Sequence, residues 1–138
     1  MIGVVSTPEK ATLARSYGCE ETILSSEDVA ARVKELTNGK GVPVVYDGIG
    51  KETFMESLDC LRPLGMMASF GNASGPVAPV APGILGPKGS IYLTRQTLFT
   101  HIATRESTQA MADDLFEAVT SGKVDIRIDQ RYKLEDVQ

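Results

Sequence analysis

Ser6, Thr7 and Lys10 fall within five residues, directly after the short apolar run Ile2-Gly3-Val4-Val5. Two hydroxyls, an ammonium and the free N–H groups of a helix start suit a phosphate monoester. If the apolar run is a strand, these residues sit at its carboxyl end, where doubly wound α/β sheets bind ligands. A carboxylate at that strand end would accept both ribose hydroxyls of NAD. Ser6 stands there instead, which favours the 2′-phosphate of NADPH. The same residues also fit a plain alternative, since Ser6-Thr7-Pro8-Glu9 is an ordinary capping box and Lys10 an ordinary solvated lysine.

Other segments repeat the pattern of chemistry-bearing residues at strand ends. Gly48-Ile49-Gly50 follows an apolar run and precedes a helical pattern. It imitates the opening of a pyrophosphate loop but has Thr53 where the third glycine belongs. A tight turn that lets the backbone pass close to a ligand is the better account. Phe70-Gly71-Asn72 offers a ring, a glycine and an amide that could flank a nicotinamide, or equally a core ring followed by a turn. Thr94 to Leu98, with Thr97 and Leu98 at its end, closes the next strand on the same rim. Asp47 reads as a turn or cap former rather than a general base, and the single His101 as a surface or packing residue. No residue is assigned a catalytic role.

The elements that position these residues follow from periodicity. Ile2–Val5, Glu21–Leu24, Val42–Tyr46, Met66–Phe70 and Ser90–Thr94 read as strands, the third buried on both faces. Helical patterns run over Ala11–Tyr17, from a capping box at Ser25 onward through Val29, Val33 and Leu36, over Phe54 to Leu61, and over 105–120. The last should bury Met111, Leu115 and Val119. Arg62-Pro63-Leu64-Gly65 should end the third helix. Residues 74–89, dense in Pro and Gly, form a surface loop with one helical turn near Ile84. Val124–Ile128 reads as an edge strand, and Leu134 to Val137 as the first turn of another helix ending at Gln138. Alternating strands and helices predict a parallel, doubly wound Rossmann-like sheet, residues 1–138 forming one domain. Because nothing precedes Ile2 but Met1, the first strand and glycine-rich turn of such a unit are expected to be missing.

Bulk properties narrow the classes. With 138 residues, 42% hydrophobic and 23% charged, the chain suits one globular domain. A net charge of −4 argues against a nucleic-acid surface. No apolar run reaches the roughly 20 residues of a membrane span, and no signal-like segment opens the chain. A cytoplasmic location is the default. Cys19 and Cys60 fit neither a disulfide framework nor a zinc motif, so they read as buried hydrophobes and no metal site is expected.

Four runs together carry a closer resemblance: Val4 to Lys10, Pro43 to Gly50, Ser69 to Pro76 and Leu93 to Leu98. They resemble the cofactor domain of quinone oxidoreductases, zinc-free members of the medium-chain dehydrogenase/reductase superfamily related to zeta-crystallin. The resemblance implies a two-domain enzyme in which NADPH lies between a catalytic domain and a Rossmann domain and reduces a quinone. Ser6, Thr7 and Lys10 would hold the 2′-phosphate. Gly48 and Ile49 would contact the cofactor at a strand end, with Phe70, Gly71 and Asn72 on the nicotinamide side and Thr97 and Leu98 completing the rim. The strand at residues 90–94 would pair with its twin in a homodimer.

Three departures accompany it. The glycine-rich loop is absent, the family's tyrosine after the third strand is replaced by Leu24-Ser25-Ser26, and its Thr-Arg-Pro is Thr94-Arg95-Gln96. The isolated chain is expected to show little activity. Two other readings stand: a non-enzymatic dimerising or binding module, and the cofactor domain of a related zinc-free enoyl or alkenal reductase.

Overall fold

The computed structural model describes residues 1–137. Two compact units divide the chain, one from Met1 to Gln96 and one from Thr97 onward. In the first, β1 (Ile2–Val5), α1 (Pro8–Ser16), β2 (Glu21–Leu24), α2 (Val29–Leu36), β3 (Val42–Asp47), α3 (Phe54–Asp59), β4 (Leu61–Ser69) and β5 (Tyr92–Arg95) alternate as expected. All pairings are parallel: β1 with β2, and β3 with β4 with β5. The two sheets correspond to strands 3-2 and 4-5-6 of the doubly wound order 3-2-1-4-5-6.

One core spans both sheets. Ile23 on β2, Val29 and Val33 on α2 and buried Cys60 form a cluster that also takes Ile2 from β1 and Val42 and Val45 from β3. A second cluster joins Phe54 and Leu58 of α3 to Leu61, Met67 and Ile91, with Val77, Val80, Ile84 and Leu85 of the long loop packed against it. That loop carries the expected helical turn, Pro82–Ile84. Burying each such aliphatic side chain contributes about 1.5–3 kcal/mol, so these clusters fix where the strand ends lie. The helices are linked as well: Val29 N–H, at the start of α2, donates to Glu56 Oε1 on α3 at 2.9 Å.

Several expectations are corrected. Helix α1 begins at Pro8, because Thr7 caps it and proline suits the first helical position. The cap of α2 is Asp28, whose Oδ1 accepts from Ala31 N–H at 2.9 Å, rather than Ser25. Leu61 belongs to β4, and Arg62–Gly65 do not end a helix. They bulge out of the strand, since Val42 pairs with Leu61 but Val44 already pairs with Met66. Leu64 has φ of 60° there and donates its N–H to Gly89 O at 2.9 Å. The strand after the loop starts at Tyr92, because Gly89 and Ser90 both take positive φ in a turn. β3 is covered on one face only: Val45 and Asp47 point inward, whereas Tyr46 on the opposite face is 77% exposed.

In the second unit, α4 (Leu98–His101) was not anticipated, and α5 spans Arg105–Thr120 as read. A capping box between Thr104 and Ser107 starts α5. Its apolar residues are not buried: Leu115 is 54% exposed, Met111 is exposed and Val119 is half-buried. The rest of this unit is a one-turn helix and irregular chain, which offers little to pack against. Residues 124–128 form no strand, and Leu134–Asp136 is a 3-10 turn. The end of that last reading, Gln138, lies outside the described residues.

Candidate cofactor site

Two groups of residues form at the carboxyl ends of the strands. The first follows β1. Thr7 accepts Lys10 N–H on its Oγ1 at 3.3 Å, which satisfies one free amide of the α1 start. The chain then turns so that Lys10 Nζ donates to Ser6 Oγ at 2.9 Å. Ser6 and Lys10 are exposed and no carboxylate stands at the strand end itself. Glu9, one residue into the helix, accepts from the Thr7 hydroxyl, which holds its carboxyl below the usual range. The expected Ser6–Glu9 capping box does not form: Thr7 is the cap residue of α1, which leaves the Ser6 hydroxyl to pair with the Lys10 ammonium.

The second group is a pair of interlocked turns after β3 and β4. Asp47, 4% exposed at the end of β3, uses both carboxylate oxygens. Its Oδ1 accepts from Ile49 N–H at 2.8 Å and Gly50 N–H at 3.0 Å, and its Oδ2 from the Thr53 and Ser57 hydroxyls, each at 2.8 Å. Burial pushes this carboxyl up. The bonds from Gly50, Thr53, Ser57 and Ile49 together outweigh burial and hold it below the usual range. Opposite, Phe70 N–H donates to Asp47 O at 2.9 Å, Ala73 N–H to Gly48 O at 3.3 Å, and Ser74 N–H to Ile49 O at 2.9 Å. The Ser74 hydroxyl donates to Ile49 O and accepts from Glu52 N–H, while Lys51 N–H donates to Gly75 O. At Gly71 a Cβ would lie 2.1 Å from Gly48 O, so the two backbones cross in direct contact.

This arrangement decides what Gly48-Ile49-Gly50 is. A pyrophosphate loop must offer free amides to the ligand. Here the N–H groups of Ile49, Gly50, Lys51, Glu52, Thr53 and Phe54 are all taken by protein acceptors. The turn holds the end of a strand and meets a ligand through its surface alone. Ile49 is 43% exposed, and the Phe70 ring, 56% exposed, packs over Gly48.

Arg95, at the end of β5, was not singled out as a site residue. Its guanidinium donates to Gly71 O at 3.2 Å and lies 3.4 Å from Ser69 Oγ. Oriented to satisfy both its ends, the Asn72 amide accepts from Arg95 Nη2 at 3.3 Å and donates to Gly71 O at 2.8 Å. The only available signal was its place at a strand end beside the Phe70–Asn72 rim. A groove of about 340 Å³ opens here, lined by Phe54, Ser69, Asn72, Val77, Leu93 and Arg95 among others. It is apolar with three polar groups converging, as ligand pockets commonly are. A wider depression of about 520 Å³ between α2 and α3 is lined by Asp28, Lys34, Glu56 and Asp59, away from these strand ends.

Thr97 and Leu98 lie in the second unit, Thr97 as the cap residue of α4 and Leu98 as its first residue. The Thr97 and Thr100 hydroxyls are 3.1 Å apart, and Leu98 is exposed.

The chain matches the family model described as zinc-binding dehydrogenase over residues 1–117. Its described residues do not fit a zinc ion. They contain no group of three or more His, Cys, Asp or Glu able to hold a metal ion. Among curated relatives, a quinone oxidoreductase of Pseudomonas aeruginosa is 56% identical over 99% of the chain. A 2-haloacrylate reductase of a Burkholderia species is 44% identical over 99%. Among solved structures, Escherichia coli quinone oxidoreductase complexed with NADPH superposes with a TM-score of 0.88 at 44% identity, over 92% of this chain and 39% of that one. A mycobacterial protein complexed with NADPH gives 0.91 at 43% identity, over 98% of this chain and 43% of that one. The chain spans about two-fifths of these relatives, 42% of the first and 41% of the second. With more than half of its length matched, and with parallel strands whose ends carry the interlocked turns, the chain belongs to the zinc-binding dehydrogenase family.

Proposed function

We propose that the chain is the NADPH-binding part of a cytoplasmic quinone oxidoreductase. The observation that carries the reading is the Lys10–Ser6 pair at 2.9 Å at the carboxyl end of β1, where the strand end bears no carboxylate. A dianionic 2′-phosphate there would gain the ammonium and two hydroxyls, Ser6 and Thr7. The diol of NADH would find no carboxylate acceptor. The NADPH complexes of similar proteins support the same choice.

The rest of the cofactor follows the sheet. The exposed faces of Gly48, Ile49 and Phe70 offer an apolar rest for the nicotinamide end, while Gly71 and Asn72 supply its polar rim. Thr97 and Leu98, a hydroxyl and an exposed apolar side chain of the second unit, are proposed as cofactor contacts on the family resemblance alone. NADPH, when bound, supplies the reducing equivalents. The residues of this chain bind and orient it and keep water from one side, and none is required as acid or base. The quinone would lie against parts of the enzyme beyond this chain. The free edge of β5, with Tyr92 and Leu93 exposed, is the surface proposed for homodimer pairing.

Calorimetric titration with NADPH and NADH tests the reading. NADPH should bind about tenfold more tightly, and Lys10→Ala should remove most of the difference, the magnitude expected of one charge-assisted phosphate contact. Equal affinity for both nucleotides, unchanged by Lys10→Ala, would discard the 2′-phosphate site. A second reading, an enoate reductase, is favoured by the resemblance to 2-haloacrylate reductase. Steady-state assays of a longer protein carrying this chain, with 1,4-benzoquinone and with 2-chloroacrylate, separate the two.

A further inference from the structure

Asp47 is the one buried carboxylate of the cofactor region, and it has four donors on its two oxygens. Those donors come from three places: the turn itself (Ile49, Gly50), the residue that opens α3 (Thr53), and the body of α3 (Ser57). A single anion therefore ties the strand end, the turn and the helix together. Nothing of it is left for a ligand, since its oxygens are saturated and its surface is almost wholly covered.

The turn is not an end point. Its carbonyls, with that of Asp47, accept the Phe70, Ala73 and Ser74 amides. Gly71 meets Gly48 with no space between them, and a Cβ at Gly50 would approach Gly75 O to 2.9 Å. Any displacement of residues 48–50 must therefore move 70–75. On the far side Arg95 grips Gly71 O, so the β4 turn is held from both neighbours.

We infer that Asp47 is a positioning residue, which fixes the Gly48–Gly50 turn and through it the Phe70–Asn72 rim that receives the nicotinamide end of the cofactor. This rests on the cofactor reading above. It has a consequence that a general stabilising role lacks. The 2′-phosphate end sits on β1, which among the described residues pairs with β2 alone, whereas Asp47 organises the other sheet. Loss of Asp47 should thus weaken one end of the cofactor and spare the other.

The test uses Asp47→Ala and Asp47→Asn in the 138-residue chain, titrated calorimetrically with NADPH and with 2′-phospho-ADP-ribose, which lacks the nicotinamide. In Asp47→Ala the NADPH affinity should fall about tenfold and that for 2′-phospho-ADP-ribose by less than about twofold. Asp47→Asn keeps an acceptor for the Ile49 and Gly50 amides and should recover more than half of the loss. It serves as the test variant, with a smaller fall of about threefold, if the alanine variant does not fold. Amide hydrogen exchange should accelerate about tenfold at Ile49, Gly50, Ala73 and Ser74, with Ile23 and Leu24 unchanged.

Equal weakening of both ligands, an unchanged ratio, or wild-type exchange rates at Ala73 and Ser74 would overturn the inference alone. A wild-type chain that binds neither ligand would overturn the cofactor reading, and the positioning claim with it.

Discussion

Replacing Gly71 by alanine should cost this fold more than its single added methyl suggests. Gly71 does not adopt positive φ, so alanine meets no backbone penalty there, and the effect is steric. The new Cβ would stand 2.1 Å from Gly48 O and 2.7 Å from Gly48 C and Cα. All three are backbone atoms, which cannot rotate aside as a side chain can. The two turns must separate by about 1 Å to reach ordinary contact. That movement carries the 2.9 Å Phe70–Asp47 bond and the 3.3 Å Ala73–Gly48 bond beyond hydrogen-bonding range. Two lost bonds at about 1 kcal/mol each, with an overpacking cost of about 1–3 kcal/mol, give about 3–5 kcal/mol. Against a total stability of about 5–15 kcal/mol this is a large fraction. Urea unfolding followed by far-ultraviolet circular dichroism reads it directly. With a slope of about 2 kcal/mol per molar, the midpoint should fall by about 2 M. Gly83→Ala is the control, since a Cβ there meets nothing within 4 Å, and it should stay within about 0.5 kcal/mol of wild type. A Gly71→Ala midpoint as close to wild type as that of Gly83→Ala would refute the crossing of the two turns.

Three further outcomes follow from the same geometry. Asp47 has a folded pKa below its ordinary value of 3.8, so its stabilisation is fully present above that value and is lost as pH falls through the lower folded pKa. Urea midpoints of wild type should therefore drop more steeply below pH 4 than those of Asp47→Asn, and parallel curves would discount the carboxylate. Cys60 is opposite in sign: its thiol is raised from 9.0 to about 11, so the unfolded chain ionises first and stability declines as pH rises from about 9 to about 11. Cys60→Ser should flatten that decline, and iodoacetamide at pH 8 should leave Cys60 unmodified in the folded chain, as mass spectrometry would show. Glu56→Ala removes the acceptor for Val29 N–H at the start of α2 and should cost about 1 kcal/mol, with Glu56→Gln retaining most of it.

The alternation of strands and helices was legible because β1, β3 and the second half of β4 carry short apolar runs and turn or capping residues separate the elements. Where the reading slipped, a local rule met a tertiary one. Arg62-Pro63-Leu64-Gly65 has the composition of a helix terminator. It is a bulge because Val42 draws Leu61 into the sheet five residues before the main register begins at Met66. Continuous apolarity in β3 suggested two covered faces, yet Tyr46 stands exposed, since helix α3 and the long loop pack on one face of that sheet. In α5 the helical period was right and the burial wrong. Period reports which residues share a face, and it does not report whether anything lies against that face.

The site was legible by position more than by contact. Residues at strand ends were singled out as a class because doubly wound folds place ligands there, and the structure puts Ser6, Gly48, Ile49 and Phe70 to Asn72 just after strand ends. What the sequence could not show is the crossing between residues 47–52 and 70–75, more than 20 positions apart. That crossing explains why a Gly-x-Gly turn ahead of a helix carries no phosphate. A free glycine turn is an anion site because its amides point outward and unpaired. Once Asp47 supplies an anion from within and Ser74 and Gly75 take the next two amides, the same backbone becomes a fixed wall. The distinction between a phosphate cradle and a positioning device thus lies in one preceding aspartate and a distant Ser-Gly pair. In a chain with the same glycines but neither the acid before them nor the Ser-Gly pair, the amides of residues 49–52 would again be open to a phosphate.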